Sequence, residues 1–161
     1  MSLCLTILVL SKNKKQRELC KEEILMADES ELTAYDSDKR TLPILMAAEM
    51  GNTEACEALL SRGVDINSWH PATMQTALIE ASTFGHLNTV KFLLDKNANI
   101  HSIDDRGGMT ALHWAAGKGH EKIILLLLAN GADKNKENFN GRLPVDIAKA
   151  MKHDKVAEIL K

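Results

Sequence analysis

Thr110-Ala111-Leu112-His113-Trp114-Ala115-Ala116-Gly117-Lys118-Gly119-His120 decides how the rest of the chain is read. Thr110 suits a helix N-cap, where its hydroxyl can accept a bond from an orphan backbone N–H. Ala111 and Leu112 open the helix, with Leu112 its first core contact. Ala115 and Ala116 are small enough to let a second helix pack close. Gly119 supplies the positive φ that ends the helix, and His120 begins the turn into the next. A second apolar helix follows over 122–129, closed by Asn130-Gly131-Ala132-Asp133. Such a helix–turn–helix unit cannot bury its apolar face alone, so it should recur.

It does recur. Gly51, Gly85 and Gly119 lie 34 residues apart, as do Gly63, Asn97 and Gly131, and Asn67, His101 and Asn135. Four copies begin Leu42-Pro43-Ile44-Leu45-Met46-Ala47-Ala48, Thr76-Ala77-Leu78-Ile79-Glu80-Ala81-Ser82, Thr110-Ala111-Leu112-His113-Trp114-Ala115-Ala116 and Leu143-Pro144-Val145-Asp146-Ile147-Ala148-Lys149. On these residues the chain resembles the ankyrin-repeat family, whose units run to about 33 residues and carry a Thr-Pro-Leu-His-x-Ala signature. The resemblance covers residues 34–161 and implies an all-α solenoid, an ankyrin-repeat stack of helix–turn–helix repeats with projecting finger loops. The chain then divides into an apolar and basic segment over 1–17, a degenerate half-repeat over 18–33 acting as N-terminal cap, and four repeats over 34–161.

A length of 161 residues suits one domain filled by these units, and a net charge of −2 argues against the basic face that nucleic-acid binding requires. Cys4, Cys20 and Cys56 are odd in number and follow no metal or disulfide spacing, which points to a reducing compartment, cytosol or nucleus. No apolar run approaches the roughly 20 residues of a membrane span.

At the N-terminus, Leu3, Cys4, Leu5, Ile7, Leu8, Val9 and Leu10 precede Lys12, Lys14, Lys15 and Arg17. A secretory signal places its positive charge first, so the order is reversed. Two readings stay open. Either the segment covers the exposed end of the stack, or it contacts a membrane surface with Cys4 acylated beside the basic cluster; a truncation or misplaced start could also leave such a piece. At the 34-residue interval Leu25 and Met26 fall under Leu59 and Leu60, and Glu31-Leu32-Thr33 under Asp65-Ile66-Asn67, while Lys21 and Glu22 stand where later copies are apolar. This reads as a second helix with a polar exterior.

Ile44, Leu78, Leu112 and Val145 should enter the core from the first helices, and Leu59, Leu93, Leu127 and Leu160 from the second. Leu125 stands where Glu57, Lys91 and Glu158 are polar, and should be exposed on the convex side. Cys56 should be buried and inert, with Cys20 the more accessible thiol. Among the fingers, Gly108 and Gly141 hold a turn position that Met74 and Arg40 occupy in the other copies, and Pro71 leaves the shape of the finger 68–75 in doubt. Lys152 replaces the glycine of Gly51, Gly85 and Gly119, so the final turn is expected to be distorted.

Catalytic and metal readings find little support. His86, His120 and His153 share one repeat position and read as structural. His113, by the resemblance, bonds toward Thr110 and the preceding loop. Asp104-Asp105 lacks the alternating oxygens of a calcium loop. No nucleophile, phosphate-loop or zinc motif occurs, so no enzyme, cofactor or metal is expected.

What remains is surface. The resemblance implies that a protein partner binds the concave groove made by the fingers and the exposed side of the first helices. From the helices that groove would take Met46, Glu49, Met50, Glu80, Thr83, Phe84, Trp114, Lys118, Ile147 and Met151. From the fingers it would take Trp69, His70, Met74, Arg106, Met109 and Phe139. Tryptophan, arginine and methionine at such positions suit an adaptable binding surface. Trp114 could equally be packed under a finger. The expected molecule is a monomeric protein-binding module or adaptor that binds no nucleic acid. The alternatives are an inhibitor of a larger enzyme, resembling the small ankyrin inhibitors of cyclin-dependent kinases, and an adaptor tethered to membrane through residues 1–17.

Overall fold

A computed structural model of the chain describes residues 13–34 and 41–161. The expectations attached to residues 1–10 and to Arg40 lie outside the described residues. Among the described residues two helices come first, α1 (Lys14–Met26) and the short α2 (Glu29–Leu32). Four pairs follow: α3 (Pro43–Glu49) with α4 (Thr53–Ser61), α5 (Ala77–Phe84) with α6 (Leu87–Asp95), α7 (Ala111–Lys118) with α8 (Glu121–Ala129), and α9 (Pro144–Ala150) with α10 (Asp154–Leu160). No named strand occurs among the described residues. This is the all-helical repeat stack that the sequence predicts.

Each first helix starts the way its residues dictate. The Thr76 hydroxyl accepts from the Ile79 N–H at 3.5 Å, and the Thr110 hydroxyl from the His113 N–H at 3.4 Å. Leucine stands at the other two N-caps, and there Pro43 and Pro144 open the helix, where a missing N–H costs nothing. Asp146 adds a carboxylate that accepts from the Leu143 N–H at 3.0 Å.

The stack has two layers. α3, α5, α7 and α9 pack in sequence as one, and α1, α4, α6, α8 and α10 as the other. Ala47-Ala48, Ala81-Ser82, Ala115-Ala116 and Ala148 are all fully buried, so small side chains bring the first helices close. Leu59, Leu93 and Leu127 are fully buried at equal intervals, each worth roughly 1.5–3 kcal/mol relative to exposure.

Glycine and histidine join the repeats. Gly51, Gly85 and Gly119 take φ of 62°, 83° and 76°, where a side chain is strained. They also lie under the imidazole of the next repeat: an added Cβ would meet His86, His120 and His153 at 2.5, 2.7 and 2.8 Å. Each ring reaches back through Nε2 to a carbonyl of the preceding repeat, Glu49 at 2.7 Å, Thr83 at 3.2 Å and Gly117 at 3.2 Å. The three histidines are therefore inter-repeat ties.

The last turn is not distorted, contrary to the expectation from Lys152. Lys152 takes φ 61°, and the His153 N–H still donates to the Ala148 carbonyl at 2.9 Å, as His120 does to Ala115 at 3.0 Å. The left-handed conformation costs about 1–2 kcal/mol there.

Along α1 the burial pattern departs from the 34-residue register, whereas Leu32, in phase with Ile66, is buried. α1 starts at Lys14, where the Asn13 side chain accepts from the Gln16 N–H at 3.0 Å. Its buried residues are Cys20 and Ile24, one helical turn apart and facing α4, whereas Leu25 and Met26 are exposed. Arg62 fixes this register by donating to the carbonyls of Ile24, Leu25 and Ala27 at 3.1, 2.7 and 2.9 Å. The same departure corrects the view of Cys20 as the more accessible thiol. Cys20 and Cys56 are both fully buried, and burial pushes their thiols up to about 11 and about 12.

Candidate functional site

The fingers are built to stand beside one another. In the finger before α7, the Asp104 carboxylate is buried and accepts from the Gly107 and Met109 N–H groups at 3.1 and 3.0 Å. Its other oxygen accepts from the Trp114 indole N–H at 2.9 Å. Neighbouring fingers are linked by backbone bonds, Asp105 N–H to the Thr73 carbonyl at 3.0 Å and Phe139 N–H to the Gly107 carbonyl at 2.8 Å. Pro71 stands at the equivalent of Asp105 and has no N–H to donate. The finger 68–75 nonetheless closes regularly. The His70 N–H donates to the Gln75 carbonyl at 2.8 Å, as Asp104 does to Met109 at 3.1 Å, and Met74 takes φ 52° where Gly108 takes 67°.

Between these fingers and the first helices lies a cleft of about 660 Å³. α3 contributes Glu49, α5 contributes Glu80, Thr83 and Phe84, and α7 contributes Trp114. His70, Ala72, Thr73, Gln75 and Arg106 come from the fingers, and Thr41 from the residues before α3. Phe84 is exposed; Glu49, Glu80 and Trp114 are half-buried. The Glu80 carboxyl is pushed up to about 7, chiefly by burial and then by the nearby Glu49, with Arg106 opposing the rise. Glu49 is also raised by burial, with His86 acting against it.

Of the residues the sequence places on the groove, Glu49, His70, Glu80, Thr83, Phe84, Arg106 and Trp114 line this one cleft. Met46 does not belong there: it is 5% exposed and packed in the core. An unbranched apolar side chain gains from turning inward, which Glu80 at the same repeat position cannot do. Met50 is half-buried against the core. Trp69, Met74 and Phe139 are exposed on the fingers but lie outside the cleft lining, as do Lys118 and Met109. The Met109 sulfur accepts from the Asn138 amide at 3.2 Å. Ile147 is half-buried and Met151 exposed on the last first-layer helix and its cap, also outside the lining.

Thr41 and Gln75 were not among the expected residues, yet their positions precede Met109 by two and one repeat steps, so the phase could have found them. Asp104, read above only as a finger residue, positions Trp114. For Trp114 both readings apply, since its indole is pinned beneath the finger and its ring forms a cleft wall.

His113 needs one correction. The Thr110 N–H donates to Nδ1 at 3.3 Å, so Nε2 carries the proton and donates to the Arg142 carbonyl at 3.2 Å. The second bond goes to the following finger, not the preceding one. Burial lowers the basicity of the ring, consistent with a neutral imidazole. Leu125 is exposed, as expected of its position. Among the described residues no group of three His, Cys, Asp or Glu is placed to hold a metal ion, and no helix is long and apolar enough to cross a membrane.

A family model described as ankyrin repeats, three copies, matches residues 5–104, 44–138 and 101–161. No curated protein matches the chain.

Proposed function

The chain belongs to the ankyrin-repeat family, and from that premise we propose that it is an adaptor that captures a protein partner in the cleft between its fingers and first helices. Ankyrin repeats generally mediate protein–protein interaction, and proteins built of them are typically not enzymes. One observation carries the assignment to this face. Seven of the residues that the family resemblance places on the groove converge on a single cleft, with an exposed Phe84 and a fixed Trp114 among its walls. Aromatic anchors of this kind dominate binding energy when they are desolvated. A cleft pre-set by finger-to-finger bonds also loses little ordering entropy on binding. Two described cysteines, both free and buried, suit action in the cytosol or nucleus.

The test is affinity capture from lysate with quantitative mass spectrometry, comparing the parent with Phe84→Ala and with Leu125→Ala. The reading expects a protein retained by the parent and by Leu125→Ala but depleted on Phe84→Ala. Retention by Phe84→Ala together with loss on Leu125→Ala would place binding on the convex face instead.

A further inference from the structure

Building on the groove reading, we propose that the cleft receives a cationic side chain, a lysine or arginine of the partner, between the carboxylates of Glu49 and Glu80 with Phe84 and Trp114 as its apolar walls. The two glutamates stand on successive first helices, α3 and α5, and both line the cleft. Neither takes part in an ion pair among the described residues, whose ion pairs are Arg17 with Glu54, Lys21 with Glu57 and Lys161 with Glu158. Arg106, exposed on its finger, acts on Glu80 and His86 acts on Glu49, yet both carboxyls remain raised, Glu80 to about 7.

Two partly desolvated carboxylates that repel each other are a poor arrangement for stability. A cation set between them relieves the repulsion and supplies hydrogen bonds in place of lost water. The shape of the cleft suits a long basic side chain. Lys and Arg lay an aliphatic stem along apolar surface while the charged head reaches further, and a cation over an aromatic face is attracted to its π system. The Trp114 ring is held for this role by Asp104 at 2.9 Å. The other occupants fit worse. An acidic side chain would add a third like charge, and an apolar one would bury both carboxylates further without adding a hydrogen-bond partner.

The test is to pan a displayed random-peptide library on the full-length chain and measure the affinity of selected peptides. Peptides should be enriched in Lys or Arg, and replacing that residue by norleucine should weaken binding at least about tenfold, the scale of a partly buried charge pair. Glu49→Gln combined with Glu80→Gln should cause a similar loss while keeping shape, and each single variant should lose part of it. Thermal melts would confirm that these variants fold. Arg106→Ala, which removes a competing cation, should strengthen binding about two- to threefold. Peptides that need Phe84 but show no basic enrichment, or bind the double Gln variant as tightly as the parent, would overturn this proposal and leave the groove reading standing. Peptides indifferent to Phe84, or no selected peptide at all, would count against both.

Discussion

Among the residues lining the cleft, Glu80 has its carboxyl pushed up to about 7 from the 4.5 of an ordinary glutamate, chiefly because burial disfavours its charged form. Its folded value lies above its unfolded one, so the fold favours the protonated carboxyl. The stability this contributes is fully present below pH 4.5 and is lost as pH rises through 7. Glu80→Gln, which stays neutral, should therefore exceed the parent in urea melts at pH 8 by about 1–2 kcal/mol, the shift being discounted for partial contact with water. The gain should nearly vanish at pH 5; a gain independent of pH would contradict the assignment. At this scale sequence reading found the position but not the behaviour. Met46, Glu80 and Trp114 recur at one phase, yet the first turns into the core, the second stays half-buried with its charge destabilised, and the third is tied to a finger. Phase reports which way a position points; what a side chain does there depends on its own chemistry.

Among the elements, the turn between paired helices shows why glycine and histidine recur together. Each was visible at 34-residue spacing, but the two sides of a contact sit in different repeats, as Gly85 and His120 do, so spacing alone did not pair them. Gly85 and Gly131 both have positive φ, while an added Cβ meets His120 at 2.7 Å at the first and nothing within 4 Å at the second. Gly131→Ala should cost about 1–2 kcal/mol from backbone strain alone, and Gly85→Ala about 2–4 kcal/mol because the ring must also move. In a His120→Ala background the cost of Gly85→Ala should fall toward that of Gly131→Ala; an unchanged cost in denaturant titrations would show that the ring is not the obstacle. The first helix makes a second case. Extending the 34-residue register backward put Leu25 and Met26 under Leu59 and Leu60, but a fixed interval cannot register a helix that turns a different face to its neighbour. Arg62, whose guanidinium holds three carbonyls at the end of α1, carries no hydrophobic signal. Arg62→Ala should speed amide exchange over Lys14–Met26 with little change in α7 and α8, and uniform acceleration would mean that α1 is not a separable unit.

For the whole molecule, repetition made the architecture legible. Several positions recurring in phase require paired helices that bury their faces only on one another. The cleft was legible in part through the family resemblance, which put Glu49, Glu80 and Trp114 on one groove, whereas the retreat of Met46 depends on packing between layers. A stack of this kind is stabilised by nearest-neighbour contacts, so residues on the groove should be separable from stability in a way that core residues are not. Leu127→Ala, at a fully buried position, should cost about 2–5 kcal/mol and lower the melting temperature. Phe84, about half exposed at 51%, should not. The most direct test of the groove account is the affinity of the captured partner for Phe84→Ala and Leu125→Ala, with each variant melted in parallel. The account predicts that Phe84→Ala weakens binding by about 2 kcal/mol, the scale of an aromatic anchor, with an unchanged melting temperature, and that Leu125→Ala binds as the parent does. Parent-like binding by Phe84→Ala, with the loss falling on Leu125→Ala, would contradict it.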